Sequence, residues 1–343
     1  MGLKKYVGKR LIYTVILLVL IVLFNYFLFQ VLPFIVNCNG EAYEQCAENM
    51  YLPAQPPRGA ANYNYLNAIR TRISQDFGFQ DPVLVRLGLY IRNMFTGNFG
   101  FNIGSFGSNP VIQTLDYAAP YTVLLLGTST IAGFAIGIGL GVIAAAKRGK
   151  MLDVSFLAVL LFLNSLPVFF MGALLQLLQI FLTNTTYVSV AGETLLKTGA
   201  EFFEGVLRAF FLPFVTLTLA NVGSVFLTQR AVMMDAVQED YILMARAKGL
   251  PERTVLFKHG FRNAVLPIVT AFALAIGFIL SGAVITETVF GYPGLGLNLY
   301  NAVLQLDFPL EQALFFIIAV MVVVAVFAAD IMHGILDPRV VTA

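Results

Sequence analysis

Long stretches without a charged side chain dominate the polarity pattern of this chain. Six such gaps reach, or come close to, the ~20 residues with which a helix crosses the hydrocarbon core of a bilayer. The apolar residues within them run continuously instead of alternating with polar ones, which is typical of membrane-spanning helices rather than barrel strands. We therefore predict an all-α, polytopic membrane protein whose six transmembrane helices lie near residues 11–33, 119–146, 155–182, 210–231, 264–288 and 312–335.

The amino-acid composition supports this class. Lys and Arg number 21 and Asp and Glu number 19, so charged residues make up 12% of the 343 residues, against about 25% in soluble domains. So few charges could not cover the surface of a soluble protein of this size. The composition therefore excludes a cytosolic enzyme, a disordered chain and a nucleic-acid binder, and the net charge of +2 gives no sign of a polyanionic partner.

Basic residues fall mainly on one side of the six predicted helices. They precede the first helix, follow the second and the sixth, and cluster between the fourth and the fifth, and the positive-inside rule places that side in the cytoplasm. We therefore expect a multi-pass protein of the cell membrane with both termini cytoplasmic. The chain then divides into an N-terminal tail with the first helix (1–33), an extracytoplasmic segment (34–118) and a helical core (119–343) with a cytoplasmic loop at 233–265.

The two cysteines, Cys38 and Cys46, both lie in the extracytoplasmic segment. The oxidising compartment in which that segment would fold favours a disulfide between them, and two free thiols are the alternative. Thiol labelling without reductant distinguishes the two states, because only free thiols react.

Polar residues inside the predicted helices are candidates for a translocation pathway. Pro167 should kink the third helix, because proline lacks an N–H donor and clashes with the preceding turn. Backbone groups freed by a kink can line a cavity. The pathway candidates are therefore Asn164, Pro167, Gln176 and Asn221; the alternative is that each polar side chain bonds a neighbouring helix.

Gly133, Gly137 and Gly141 recur every four residues within the second predicted helix. This spacing places them on one helix face and permits the close approach of another helix. The face is either a static packing seam or one that slides during transport.

The sequence lacks the residues with which a membrane protein could energise transport by itself. Glu287, Asp330 and His333 lie near the ends of predicted helices, whereas ion-coupled carriers are expected to place such groups near the midplane. The sequence also contains no nucleotide P-loop and no metal-ligand or nucleophile constellation. We interpret the chain as a transport pathway that is not an enzyme, holds no cofactor and takes its energy from elsewhere; a stand-alone secondary carrier is the alternative.

The cytoplasmic loop has the pattern of a helix, a sharp turn and a second helix. Residues 245–248 favour a helix, Gly249 is a helix stop, and Pro251 suits the first turn of the next helix. On a chain without its own energy source, a compact helical hairpin is interpreted as a docking element for a motor subunit. An ordinary solvated connector is the alternative.

Residues 239–250 of this loop, followed by His259, Arg262-Asn263-Ala264 and Leu266-Pro267, resemble the cytoplasmic loop of binding-protein-dependent ABC-importer permeases. The form is that of the oligopeptide/dipeptide branch and its first permease subunit. The general family motif has Glu-Ala-Ala where this chain has 243–245, Leu-Met-Ala, so no acidic role is carried over. Further matching motifs are Gly97-Asn98-Phe99-Gly100, Asn164-Ser165-Leu166-Pro167, Glu287–Gly296 and Leu336-Asp337-Pro338-Arg339.

The resemblance implies the type I permease fold of ABC importers and one half of a pathway for oligopeptides or dipeptides, with oligosaccharides or nickel as alternative substrates. It implies as partners a second related permease, two ATPase subunits that bind ATP and Mg, and an extracytoplasmic substrate-binding protein facing segment 34–118. Residues near 236–249 would form a coupling helix in a groove of an ATPase subunit. The residues implied in that contact and its turn are Glu239, Asp240, Tyr241, Ala245, Arg246, Ala247, Lys248 and Gly249.

Overall fold

The computed structural model describes residues 3–32, 50–51, 63–103, 109–184, 200–278 and 284–336. Cys38 and Cys46 lie outside these residues, so the disulfide stays a prediction. The helices of the described part, in chain order, are α1 (Leu3–Tyr26, continued by a π-helical turn, Phe27–Val31), α2 (Tyr63–Phe77), α3 (Val83–Thr96), α4 (Val111–Ala146), α5 (Met151–Ser165), α6 (Val168–Thr183), α7 (Ala200–Ala236), α8 (Asp240–Ala247), α9 (Glu252–Thr254, continued by a π-helical turn, Val255–Gly260), α10 (Phe261–Ala264), α11 (Leu266–Phe278), α12 (Val284–Phe290), α13 (Leu295–Gln305) and α14 (Phe308–Leu336).

Within the described residues, four unbroken helices are long and apolar enough to cross a bilayer: α1 with its π-helical turn, α4, α7 and α14. Helices α5 and α6 form one further candidate span that is bent by 107°. Helix α5 ends at Ser165 and α6 begins at Val168, because Pro167 offers no N–H and holds Leu166 in an extended conformation. The break predicted at Pro167 is confirmed. The fifth predicted span is divided between α11, α12 and residues outside the described part.

Helices α4 and α7 pack against each other along the glycine face of α4. A Cβ atom on any of the three glycines would come within 2.8 Å of a side-chain Cβ of α7, so the close approach that the spacing predicts is confirmed. The residue numbers of the facing pairs increase together along both helices. Helices α4 and α7 therefore run in the same direction, as the second and fourth spans must. These pairs are Gly133–Asn221, Gly137–Val225 and Gly141–Gln229.

Helices α1 and α14 pack antiparallel. Arg10 forms an ion pair of 3.0 Å with Asp330, and the Tyr6 hydroxyl donates to the backbone oxygen of Asp330. Towards the other ends, the Asn25 amide donates to the backbone oxygen of Gln312 at 3.1 Å. The start of α1 and the end of α14 therefore lie at one end of the bundle, as a topology with both termini on one side requires.

An aromatic cluster joins part of the segment between the first two spans to the other end of the bundle. The Tyr51 ring lies 5.7–6.1 Å from the rings of Phe77, Phe79 and Phe308. Burial raises the pKa of the Tyr51 hydroxyl well above its usual value, so this group stays protonated and donates to the backbone oxygen of Phe29 at 2.6 Å. The end of α2 is thereby held against α1 and α14.

Candidate functional site

The loop that follows α7 folds as a helical hairpin. Helix α7 ends at Ala236, a turn over 237–239 follows, and α8 begins with Asp240, whose acidic side chain suits a helix N-terminus. Gly249 then takes a φ of +75°, the left-handed conformation that glycine adopts without strain, and Pro251 precedes α9. The helix–turn–helix pattern is confirmed, with one correction: the first helix spans 240–247 rather than 236–249, because the 237–239 turn separates it from α7.

The two arms of the hairpin are held together on their inner side. Ile242 and Ala245 of α8 are buried against Val255, and the Arg246 guanidinium donates to the Glu252 carboxylate at 2.7 Å. Both charged side chains are about half exposed, so this pair contributes little to stability on its own, about 0–1 kcal/mol. Its geometric effect is to close the hairpin around the turn at 248–251.

The outer side of the hairpin is exposed and partly apolar. Leu243 is 66% exposed, Met244 60% and Tyr241 36%. Sequence reasoning missed Leu243 and Met244, although two adjacent apolar residues in a loop rich in charged residues could have indicated them. The remaining sequence-predicted residues that lie exposed around them are Glu239, Asp240, Arg246, Ala247, Lys248 and Gly249, whereas Ala245 packs inward.

The base of the hairpin is built into the helical bundle. Met233 of α7 is fully buried in one cluster with Val142 of α4, Leu256 and Ala264. These side chains join the end of α4, the end of α7 and the second arm of the hairpin. Because packed side chains transmit displacement with little compression, a push on the hairpin reaches both long helices.

An ion pair with a buried carboxylate ties α5 to α7 near the same end of the bundle. The Arg230 guanidinium donates to both oxygens of Asp153, at 2.6 and 2.9 Å, and the Gly149 N–H donates to Asp153 Oδ2 at 2.9 Å. Asp153 is 2% exposed, and Arg230 lies two turns before the end of α7. The pair therefore links the bent α5–α6 unit to the helix that carries the hairpin.

The structure does not bring the predicted pathway residues together. The Gln176 amide donates to the backbone oxygen of Val289 at 3.3 Å, and Asn221 packs against the glycine face of α4. Asn164 is exposed near the α5–α6 break, with its Cβ close to Gly223 of α7. Gln176 thus bonds a neighbouring helix, which is the alternative. Asn164 and Asn221 each pack with their Cβ against a glycine of a neighbouring helix, and Pro167 lies at the break itself.

The buried carboxylate of Glu287 holds the turn between α12 and α13 against α4. Glu287 is fully buried, accepts a hydrogen bond from the Thr122 hydroxyl at 2.8 Å and another from the Leu297 N–H at 3.0 Å. Gly294 and Gly296 leave the space that the carboxylate fills. The sequence shows Glu287 next to this glycine-containing turn, but Thr122 is 165 residues away, so the contact itself could not be inferred.

Residues 137–342 match the family model of the binding-protein-dependent transport system inner membrane component. This range covers Gly137 and Gly141 of the glycine face, the hairpin and the Glu287 turn. The chain belongs to this family. As an inner membrane component of such a system, the permease is one subunit of a binding-protein-dependent transporter, which favours the importer interpretation over a stand-alone carrier. The predicted fold class, an all-α polytopic permease, is likewise confirmed.

Curated relatives of this permease are similar over most of their length. The oligopeptide transport system permease protein AppB of Bacillus subtilis is 34% identical over 273 residues, 80% of this chain and 85% of the relative. The di/tripeptide transport system permease protein DppB of Pseudomonas aeruginosa is 31% identical, over 77% and 82%. The metal-staphylopine import system permease protein CntB of Staphylococcus aureus is 32% identical, over 78% and 80%.

Proposed function

We propose that this permease forms half of the translocation pathway of an ATP-driven importer for oligopeptides or dipeptides. In the assembled transporter it pairs with a second related permease, two ATPase subunits that hold ATP and Mg, and an extracytoplasmic substrate-binding protein. Both termini and the hairpin at 237–251 lie in the cytoplasm, and segment 34–118 faces the binding protein. The observation that carries this proposal is the exposed, partly apolar hairpin built on α4 and α7 of a permease whose relatives are named for peptide transport.

The hairpin is the coupling element. Tyr241, Leu243 and Met244 enter a groove of an ATPase subunit, since apolar side chains this exposed bury their surface on docking. Closure of the two ATPases on ATP displaces the hairpin. The cluster around Met233 then passes the displacement to α4 and α7, and the helices move as rigid bodies between outward-facing and inward-facing arrangements.

The α5–α6 break borders the pathway. Asn164 is exposed there. Pro167 leaves backbone groups without a helical hydrogen-bond partner, and at membrane depth such groups are tolerated where they line a cavity or contact protein. Asn164 and Pro167 are therefore retained as pathway residues. Gln176 and Asn221 shape the cavity from behind, through their contacts with α12 and α4.

Peptides are the first substrate class to test, because relatives named for oligopeptides and for di/tripeptides match over more than three quarters of the chain. A metal–staphylopine complex is a second candidate, since the permease named for that substrate is 32% identical over a similar range. Uptake by proteoliposomes of the assembled transporter distinguishes the two. ATP-dependent accumulation of labelled di- or oligopeptides supports the proposal, and accumulation of the metal complex alone contradicts it.

A substitution on the hairpin tests the docking role directly. Met244→Asp places a charge on the face that enters the ATPase groove, so we expect the ATPase subunits to be lost during co-purification. Met151→Asp is the matched control, because Met151 is also a strongly exposed methionine on the same side of the predicted topology but lies outside the hairpin. Equal retention of ATPase subunits by the two variants would contradict the docking role.

A further inference from the structure

Helix α3 carries an exposed apolar face that none of the roles above uses. Leu84 is 82% exposed and Phe95 63%, and Ile91 and Val85 are also exposed. Leu84, Gly88, Ile91 and Phe95 follow one another at intervals of four, three and four residues, so they form a single stripe along the helix. An exposed apolar stripe of this length marks a surface that another molecule or the bilayer covers.

The other sides of α3 are already engaged, and they fix its orientation. Tyr90 and Met94 are buried in the cluster that includes side chains of α1 and α14. Asn93 donates to the backbone oxygen of Asp76 in α2 at 2.8 Å. At 100° per residue, Asn93 lies opposite the apolar stripe. The helix therefore turns its polar side towards α2 in the extramembrane segment and its apolar stripe away from it.

The contacts of α3 place it beside the spans rather than beyond their ends. The Tyr90 ring lies 5.3 Å from the ring of Tyr26, and the Phe95 ring lies 5.7 Å from that of Phe316. Tyr26 precedes the end of its candidate span, Val31, by five residues, and Phe316 follows the start of its span, Phe308, by eight. At 1.5 Å per residue these positions are about 8 and 12 Å from the span ends.

These distances match the depth of a helix in the membrane interface. The two spans have 27 and 24 residues, so they are about 40 and 36 Å long and exceed a hydrocarbon core of about 30 Å by a few ångströms at each end. Tyr26 and Phe316 then lie roughly 3 and 9 Å inside the hydrocarbon boundary. Amphipathic helices in the interface bury their apolar face by about 5–10 Å.

We propose that α3 is an interfacial helix that inserts its stripe of Leu84, Ile91 and Phe95 into the lipid leaflet opposite the hairpin. The outer half of α1, which α3 contacts, also has exposed apolar side chains, Phe24 and Phe27. The charges agree with this position: α3 contains no acidic residue, and its exposed basic residue, Arg92, is of the kind favoured beside lipid phosphates. Helix α3 thus anchors the segment that joins the first two spans to the bilayer surface.

Single tryptophan reporters test this position, because the chain contains no tryptophan. Leu84→Trp and Phe95→Trp are made separately in the full chain, which is reconstituted in nanodiscs with lipids brominated on the acyl chains. Phe24→Trp reports a lipid-facing site in a span, and Arg72→Trp reports a site on α2 whose native side chain is 76% exposed. We expect brominated lipid to quench positions 84 and 95 to at least half the extent seen at position 24. Quenching by aqueous iodide as strong as at position 72, without quenching by lipid, would overturn the proposal.

Photocrosslinking distinguishes the bilayer from a protein occupant in the assembled transporter. Benzoylphenylalanine at position 84 replaces a side chain with little packing, so folding is unaffected, and position 95 provides a second site. We expect adducts with the mass of a phospholipid at both positions. A covalent product with the partner permease or the substrate-binding protein at both positions would show that this face is a protein interface and would overturn the proposal.

Discussion

The turn of the coupling hairpin depends on one backbone conformation, and Gly249→Val is the perturbation that isolates it. At a φ of +75°, a β-branched residue meets a steric penalty that glycine avoids, of about 1–2 kcal/mol. Space is not the limiting factor, because no described atom lies within 4 Å of a Cβ placed on Gly249. Such a penalty lowers the equilibrium constant for the native turn, relative to other conformations of these residues, by about 5- to 30-fold.

The assay is substrate-stimulated ATP hydrolysis by the complete transporter in proteoliposomes. We expect Gly249→Val to reduce the stimulation by at least about fivefold, in line with the backbone penalty. Gly249→Asn is the matched control, because asparagine tolerates the left-handed region far better than valine, and it should keep most of the stimulation. Membrane insertion and thermal unfolding, measured for both variants, separate a change in coupling from a failure to fold. Wild-type stimulation in the valine variant would refute the role assigned to this turn.

Two further predictions concern the packing of the bundle, and both are measured as thermal unfolding of the purified chain in detergent. Gly137→Ala places a Cβ 2.8 Å from the Cβ of Val225 and should destabilise the chain by about 1–3 kcal/mol. Gly139→Ala is the control and should be neutral or stabilising, because its Cβ meets no described atom within 4 Å. Equal effects of the two variants would contradict the close α4–α7 contact. Asp153→Asn removes the charge partner of a partly buried guanidinium and should cost about 1.5–3 kcal/mol. Glu252→Gln in the exposed hairpin pair should cost less than about 1 kcal/mol. A neutral Asp153→Asn would contradict the role given to this ion pair.

Local chemistry explains what could be predicted from the sequence. Pro167 indicated the break between α5 and α6, since the missing donor and the steric clash act on adjacent turns. Gly249 and Pro251 located the hairpin turn for local reasons too: glycine adopts the left-handed conformation without strain, and proline suits the first turn of a helix. The extent of the 107° bend depends on how α6 packs against α7 and α12, which no local rule specifies. The start of α8 was misplaced because α7 and α8 are separated only by the short turn at 237–239.

Contacts between distant residues account for what sequence reasoning missed. Glu287 was placed near a helix end, but its burial depends on Thr122 in another helix and on the Leu297 N–H beyond the turn. Arg230 lies at the end of the fourth predicted helix, 210–231, and only the fold shows that Asp153 of α5 matches its charge. The sequence contained the residues of each contact, and only the fold brings them together.

The central claim is that the hairpin transmits force from an ATPase subunit. Photocrosslinking from position 244 in the assembled transporter tests this claim most directly, with position 24 in the lipid-facing part of α1 as the control. With benzoylphenylalanine at position 244, the account predicts a covalent product of this permease and one ATPase subunit that is absent when the probe is at position 24. An intact complex that yields no ATPase product from position 244 would contradict the account.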